Sequence, residues 1–411
     1  MMRKVFVMLA LFFSATAWAG DLEDGIDAYQ KQNYAVALEK FKKAAAKGNA
    51  LAQYNLGNMY FQAQGVQHDL AESVRWLQLA SAQGLSKAQS NLGLWYQVGI
   101  GVQKNLVEAV RLYKLAAAQG NEDAQVTLAI LQKDGEGIEQ NYLEAMRILK
   151  TFATKGNSAA EYHLGVMYEQ GLGVAQNYRE AHRLFKLAAD QNVAIAQYKL
   201  AMMYRNGQVV AQDNKEALRL LTSAAAKGIG DAYAELGYMY NKGEGVIQNN
   251  AEAVRFYKLG VHWGSALAQY NLGLMYKDGQ GIAKDYTEAL RLITLATQKG
   301  LAVAQNTLGY MYEMGEGVAQ NYAEALRLYK LSAEQGVAVA QFNLGKMYGN
   351  GKGVVQDYLR THMWWNLSSA NGYQYAATGR DAISKIMTPQ QIAEAQKLAR
   401  DCQARYYKNC D

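Results

Sequence analysis

Apolar and small residues recur along most of this chain at a helical spacing, and the whole pattern repeats every 36 residues. The stretch from Ala52 to Lys87 returns in register eight more times, and the last copy begins at Ala340. With the opening Ala counted as position 0, Leu always occupies position 4, and Tyr occupies position 8 in eight of the nine copies. These positions share one helical face. A fixed period of this length predicts a stacked array of small units.

Each copy contains the start and stop signals of two helices. Position 5 is Gly or Ala, which predicts close contact between helices because a larger side chain would clash there. Glycines at positions 11 and 13 predict a tight loop. Asp or Asn at position 17 predicts the N-cap of a second helix, and Glu at position 20, in eight copies, predicts a capping box. Gly, or Asn192 in one copy, predicts the helix end at position 32.

The pattern A-x-x-x-L-G-x-M-Y-x-x-G-x-G-V-x-x-N/D-x-x-E-A resembles the SEL-one-like repeat (SLR) family, the longer-looped relatives of tetratricopeptide repeats. The resemblance extends from residue 24 to about residue 400. It implies an exported bacterial member of the family that serves mainly as a protein-binding scaffold.

The sequence therefore predicts an all-α fold, an α/α solenoid (superhelix) of nine 36-residue helix-loop-helix repeats with a cap at each end. We expect a signal peptide at 1–19, a tetratricopeptide-like capping unit at 20–48, nine repeats at 49–372 and a helical cap at 373–411. No Pro-rich, Ser-rich or charged linker separates the repeats.

The first 19 residues have the pattern of a secretory signal peptide. Arg3 and Lys4 precede an apolar run, and Ala17-Trp18-Ala19 has the small-x-small form of a cleavage site. A membrane anchor is the weaker interpretation, because the apolar run is too short to span a bilayer. We expect a periplasmic or secreted protein that is cleaved between Ala19 and Gly20 and has no integral membrane span.

The C-terminal region after Gly372 no longer follows the repeat. Thr388, Pro389 and Gln391 predict a capped final helix that covers the end of the array. Cys402 and Cys410 are the only two cysteines, and export favours a disulfide between them over two free thiols. An unbroken helix would separate them by about 12 Å. A disulfide therefore requires the helix to end between them.

Composition argues against several functions. The formal net charge is +6, and removal of Arg3 and Lys4 with the signal peptide leaves +4, with no basic run suited to a nucleic acid. The five histidines keep no metal-ligand spacing, so we expect no metal, cofactor or catalytic residue. Cysteine-rich SLR proteins are described as binding or hydrolysing β-lactams, but they carry a cysteine pair in each repeat, which this chain lacks.

The candidate binding surface lies on the first helix of each repeat, at positions 2, 6 and 9. In the related tetratricopeptide fold this face lines a concave groove, and here it is largely aromatic and apolar with a polar edge. The alternative is that adjacent first helices bury these side chains as core. We call these residues the first-helix strip: Tyr54, Leu94, Tyr162, Tyr198, Met202, Arg205, Tyr238, Tyr270, Leu274, Lys277, Tyr310 and Phe342.

The expected function is that of a monomeric, non-enzymatic scaffold that binds a protein or peptide partner along this strip. The resemblance implies roles in envelope signalling, complex assembly or host contact. Two alternatives from other classes stay open at this point. One is a β-lactam-binding or cell-wall-acting enzyme, and the other is a glycan-binding module that uses the aromatic strip.

The cleavage-site pattern leads to a first prediction. The intact mass of protein purified from the periplasm or the medium should equal that of a chain beginning at Gly20. A mass that retains residues 1–19 would contradict the export hypothesis.

Overall fold

The computed structural model describes residues 20–410, and the predicted signal peptide lies outside the described residues. The described part is helical, with short loops and without strands. None of its helices is both long and apolar enough to cross a bilayer. The helices form two compact units, residues 20–193 and residues 194–410. The domain boundaries expected from the sequence stay predictions.

In the first unit, residues 20–30 are helical, and pairs of helices joined by short loops follow along the chain. The helices of this unit are α1 (Tyr34–Ala46), α2 (Ala50–Gln62), α3 (Leu70–Ala82), α4 (Ser86–Val98), α5 (Leu106–Ala118), α6 (Glu122–Asp134), α7 (Tyr142–Thr154), α8 (Ser158–Gln170) and α9 (Tyr178–Asp190). From α2 onward, each even-numbered helix is the first helix of a repeat and the following odd-numbered helix is the second.

The second unit continues the same alternation and ends with two helices outside the period. Its helices are α10 (Ala194–Asn206), α11 (Asn214–Ala226), α12 (Gly230–Lys242), α13 (Asn250–His262), α14 (Ala266–Asp278), α15 (Tyr286–Gln298), α16 (Ala302–Met314), α17 (Tyr322–Ala333), α18 (Ala338–Asn350), α19 (Tyr358–Ala370), α20 (Gln374–Ser384) and α21 (Pro389–Ala404). The α-solenoid predicted from the sequence is therefore the observed fold.

The small residue at position 5 lies in close contact with the second helix of its repeat. A Cβ atom added to Gly237 would lie 2.6 Å from the ring of Tyr257 on the second helix, and one added to Gly165 would lie 2.7 Å from the ring of Phe185. Cβ atoms in proteins essentially never lie within 3.0 Å of such neighbouring atoms, so a larger residue would clash. The predicted close contact is confirmed, and it lets a large side chain at position 25 pack on the backbone of the first helix.

The two loop glycines have different roles. The glycine at position 11 is the left-handed C-cap of the first helix, as at Gly243 with φ 73°. The glycine at position 13 lies against the start of the preceding second helix, since a Cβ on Gly281 would lie 2.6 Å from the carbonyl of Asn250. One repeat has Val209 at this position with φ 74°, a conformation that is strained for a β-branched residue.

The predicted N-caps are confirmed at position 17, but the predicted capping boxes are wrong. The side chain of Asn321, for example, accepts a hydrogen bond from the amide of Glu324. The carboxylate of Glu324 does not bond the N-cap amide, because that amide donates to the carbonyl of Tyr312 at 2.9 Å. Two guanidinium nitrogens of Arg327 donate to the carboxylate instead, at 2.6 and 2.8 Å. The same Glu-Arg pair forms in all eight repeats that have Glu at this position.

The C-terminal region has the capping box that the repeats lack. Thr388 and Gln391 exchange side-chain to backbone hydrogen bonds at the start of α21, and Pro389 is the first helical residue. In the structure Cys402 and Cys410 form a disulfide with Cα atoms 5.1 Å apart. Helix α21 ends before Cys410, and positive φ at Tyr406 and Tyr407 reverses the chain. Both cysteines belong to a buried cluster with Trp364.

The contact at position 5 leads to a second prediction. Ala normally stabilises a helix relative to Gly by about 1 kcal/mol, but Gly237→Ala should lower the free energy of unfolding by about 1–3 kcal/mol through overpacking against Tyr257. The two repeats that have Ala at this position, Ala129 and Ala201, have Leu149 and Leu221 at position 25. Tyr257→Leu should therefore relieve the cost of Gly237→Ala, as a double-mutant cycle by chemical denaturation would measure. Equal costs of Gly237→Ala in both backgrounds would contradict this packing.

Candidate functional site

The first-helix strip is placed between core and surface. Leu94 and Tyr310 are exposed, with 46% and 38% of their surface accessible. The remaining residues of the strip are half-buried: Tyr54, Tyr162, Tyr198, Met202, Arg205, Tyr238, Tyr270, Leu274, Lys277 and Phe342. Neither of the two interpretations left open by the sequence therefore holds for the whole strip.

Contact between neighbouring first helices explains this partial burial. The hydroxyl of Tyr54 on α2 accepts a hydrogen bond from the amide of Asn91 on α4 at 3.2 Å. The hydroxyls of Tyr270 on α14 and Thr307 on α16 lie 3.3 Å apart. The rings bridge adjacent repeats and so lose part of their surface. Ring contacts with the second helix bury others, since Tyr162 lies 5.9 Å from Phe185 between ring centroids.

Three predicted strip residues meet at one groove in the second unit. Leu274 and Lys277 on α14 and Tyr310 on α16 line a cavity of about 360 Å³. Its other lining residues are Asn306, Thr307, Val339 and Asn343. The groove thus lies across three successive first helices, α14, α16 and α18. It combines an apolar surface, an exposed aromatic ring and a lysine whose nearest carboxylate is Asp278 at 2.7 Å.

The polar edge expected at position 9 is partly buried at Arg205, whose binding role stays a prediction. Its side chain is 14% exposed and forms ion pairs with Glu235 at 2.6 Å and with Glu244 at 2.8 Å. Its guanidinium also lies 4.4 Å from the ring centroid of Tyr238. Arg205 therefore joins successive repeats, because Glu235 is on the next first helix and Glu244 is in the loop after it.

Burial governs the electrostatics of this cluster. Desolvation raises the pKa of Glu235, and the positive charge of Arg205 opposes that shift. Burial works against the charge of Arg205, but its hydrogen bond to Glu244 and the charge of Glu235 raise its pKa overall. Burial also raises the pKa of the nearby Tyr198 hydroxyl.

A second buried cluster was missed by sequence reasoning. Glu313 at position 9 of α16 is 1% exposed and accepts a hydrogen bond from Tyr329 at 2.9 Å. Lys346 on the next first helix lies 3.0 Å from its carboxylate. The available signal was a spacing of opposite charges, 30 residues for Arg205 and Glu235 and 33 for Glu313 and Lys346, which brings side chains of neighbouring first helices together.

The structure also shows where the residues that could bind a metal ion or catalyse a reaction lie. Within residues 20–410, no group of three or more His, Cys, Asp or Glu side chains could hold a metal ion. Both cysteines are in the disulfide. His163 packs against Tyr162, and burial lowers its pKa to about 4.

A model of the Sel1 repeat matches ten segments of the chain: 14–49, 50–85, 86–121, 122–157, 158–193, 194–229, 230–261, 266–301, 302–337 and 338–373. The first segment overlaps the predicted N-terminal capping unit. The structure is similar to that of a protective antigen present in uropathogenic Escherichia coli strains, which displays an SLR fold. The identity is 32% and the TM-score 0.69, over 97% of this chain and 86% of that chain.

The chain is also similar to a Sel1 repeat protein from Oxalobacter formigenes. The identity is 33% and the TM-score 0.53, over 59% of this chain and 99% of that chain. A comparison with curated proteins found no match.

The buried ion pairs lead to a third prediction. Arg205→Gln should lower the free energy of unfolding at neutral pH by about 3–5 kcal/mol, because it leaves Glu235 buried without a cation. The pKa of Glu235 is higher in the folded protein than in the unfolded chain, where it is near 4.5. Protonation of Glu235 therefore stabilises the folded protein below about pH 4.5, and this stabilisation is lost as the pH rises through the folded-state pKa. Loss of the positive charge of Arg205 raises the folded-state pKa of Glu235 further. The deficit of Arg205→Gln should therefore shrink on acidification.

The control is Arg291→Gln, which removes the exposed partner of Glu288. Its cost should stay below about 1 kcal/mol. Chemical denaturation of both variants at several pH values decides the matter. A cost for Arg205→Gln that is as small as that of the control would contradict the buried pairing.

Proposed function

Because the chain belongs to the Sel1 repeat family, we propose that it is a non-enzymatic scaffold that binds a protein or peptide partner along its first-helix strip. Solenoids of this family and of the related tetratricopeptide type typically mediate protein-protein interaction. Each repeat adds one first helix, so a partner segment can contact several successive repeats. The binding surface would be assembled from short contributions rather than from one loop.

The groove at Leu274, Lys277 and Tyr310 is the observation that carries this proposal. A cavity of about 360 Å³ is large enough for a side chain of a partner segment. The apolar side chain of Leu274 and the exposed ring of Tyr310 supply the kind of surface found at interface hot spots. Lys277 and the amides of Asn306 and Asn343 can bond the polar groups of the partner.

We further propose that the scaffold acts after export, in the periplasm or outside the cell. Two features support this. Residues 1–19 have the pattern of a signal peptide. The disulfide between Cys402 and Cys410 is of the kind that forms and persists in oxidising compartments.

Affinity capture with matched variants provides the fourth prediction. The double variant Leu274→Ser and Tyr310→Ser should lose the partners that the wild-type protein captures from an envelope extract, as identified by mass spectrometry. Hot-spot positions of this type cost ~2 kcal/mol or more each. Its melting temperature should stay close to that of the wild type, because both side chains have accessible surface.

The matched control is Leu143→Ser, which changes a leucine that is 72% exposed on the second helix α7. This variant should capture the same partners as the wild type. Retention of all partners by the double variant would exclude the groove as the binding site. Hydrolysis of a chromogenic β-lactam by the wild-type protein would contradict the non-enzymatic role.

A further inference from the structure

The first unit contains three equivalent grooves that lie away from the first-helix strip. Each lies between two successive second helices and has the intervening first helix as its floor. Their volumes are about 430 Å³ between α3 and α5, 510 Å³ between α5 and α7, and 390 Å³ between α7 and α9. A Glu-Arg pair lines each groove: Glu108 with Arg111, Glu144 with Arg147, and Glu180 with Arg183.

The middle groove is the largest, and it contains the one break in the row of tyrosines at position 8. Tyr96 and Tyr168 line the two outer grooves at this position. In the middle groove the equivalent residue is Gln132. The two outer grooves have a phenol ring at this position, whereas the middle groove has the flexible amide of Gln132 beside the apolar side chains of Leu128 and Ile138.

A second regular contact is also missing from this repeat. In six of the nine repeats, the side chain at position 31 donates a hydrogen bond to the residue at position 1, as Gln119 donates to Gln89 at 2.8 Å. Here position 31 is Lys155, which instead donates to Glu122 at 2.7 Å. The side-chain oxygen of Gln125 at position 1 is left without that donor, and Gln125 lines the groove.

The lining of the middle groove is positively charged. Lys114, Arg147 and Lys155 line it, but Arg147 is paired with Glu144 and Lys155 with Glu122, so the unopposed positive charge of the lining is that of Lys114. Among residues 20–410, Lys114 forms no ion pair and Gln132 forms no side-chain hydrogen bond. The side-chain nitrogen of Gln125 donates to the carbonyl of Ala117 at 3.1 Å, so the groove offers a ligand the ammonium group of Lys114, the side-chain oxygen of Gln125 and the amide of Gln132. Apolar side chains lie beside them, including Phe152, whose ring centroid is 4.9 Å from the ammonium group of Lys155.

We propose that this middle groove binds a peptide segment in which a tyrosine side chain is flanked by acidic residues. The tyrosine ring takes the place of the ring that this repeat lacks. Its hydroxyl donates to the side-chain oxygen of Gln125 and accepts from the side-chain nitrogen of Gln132, and an adjacent carboxylate pairs with Lys114. The volume of about 510 Å³ suits such a side chain. This site goes beyond the proposed function, because it uses the second helices and does not depend on the strip.

Fluorescence anisotropy with a labelled peptide tests the proposal on the full-length mature protein. The probe is Gly-Gly-Glu-Tyr-Glu-Gly-Gly, and two control peptides replace Tyr by Ala or both Glu by Lys. We expect saturable binding of the probe and an affinity at least about tenfold weaker for each control peptide. No saturable binding of the probe, or equal binding of the Ala peptide, would overturn the proposal.

Two variants locate the site. Gln132→Tyr restores the ring present in the other eight repeats, so it should preserve the fold while weakening probe binding at least about tenfold. Lys114→Glu should weaken binding by a similar factor through repulsion of the probe. The matched control is Lys150→Glu, at the equivalent position of the next repeat, beside the groove that contains Tyr168.

Lys150→Glu should change the affinity by less than about twofold. Melting curves verify that each variant is folded. If Gln132→Tyr and Lys114→Glu both bind the probe as the wild type does, the middle groove is not the site. If Lys150→Glu weakens binding as much as Lys114→Glu, the attraction is a general charge effect, and the proposal also fails.

Discussion

Close packing of the two helices within a repeat at position 5 is the constraint on which the rest of each unit depends. The absence of a side chain at Gly237 lets the ring of Tyr257 lie on the backbone of the first helix. The ring then fills the space between the helices and fixes their separation. With the pair fixed, the loop has a set distance to span, and its two glycines provide the left-handed cap and the close approach to the preceding repeat.

The local features of the repeat could be predicted from the sequence because they depend on short spacings. Helix caps at Asn321 and Thr388 follow from the side chain and the three residues after it. The recurrent Gly or Ala at position 5 also indicated the close contact between the two helices of a repeat. The capping box failed at Glu324 because the amide of Asn321 already donates to the carbonyl of Tyr312, and because Arg327, one helical turn further, competes for the carboxylate and bonds it with two nitrogens. The sequence contained this competitor.

Whether the first-helix strip is exposed or buried could not be predicted, because its burial depends on how close successive first helices lie. Tyr54 reaches Asn91, 37 residues away, and Arg205 reaches Glu235, 30 residues away. Either contact needs a specific separation between neighbouring helices that no single repeat encodes. The same limit applies to the middle groove of the first unit. Gln132 is visible in the sequence as an exception, but the missing contact of Lys155 with Gln125 is visible only in three dimensions.

The Glu-Arg pair has a consequence for how such a chain can change its length. The pair, the N-cap and the contact at position 5 are all made within one repeat. Unequal recombination that removes or adds one whole repeat therefore conserves every one of these interactions. The pairing of Arg205 with Glu235 and Glu244 is different, because it joins two specific neighbours. Insertion of a repeat between them would leave a buried charge without its counterion, so these pairs make the stability of the chain depend on the order of its repeats.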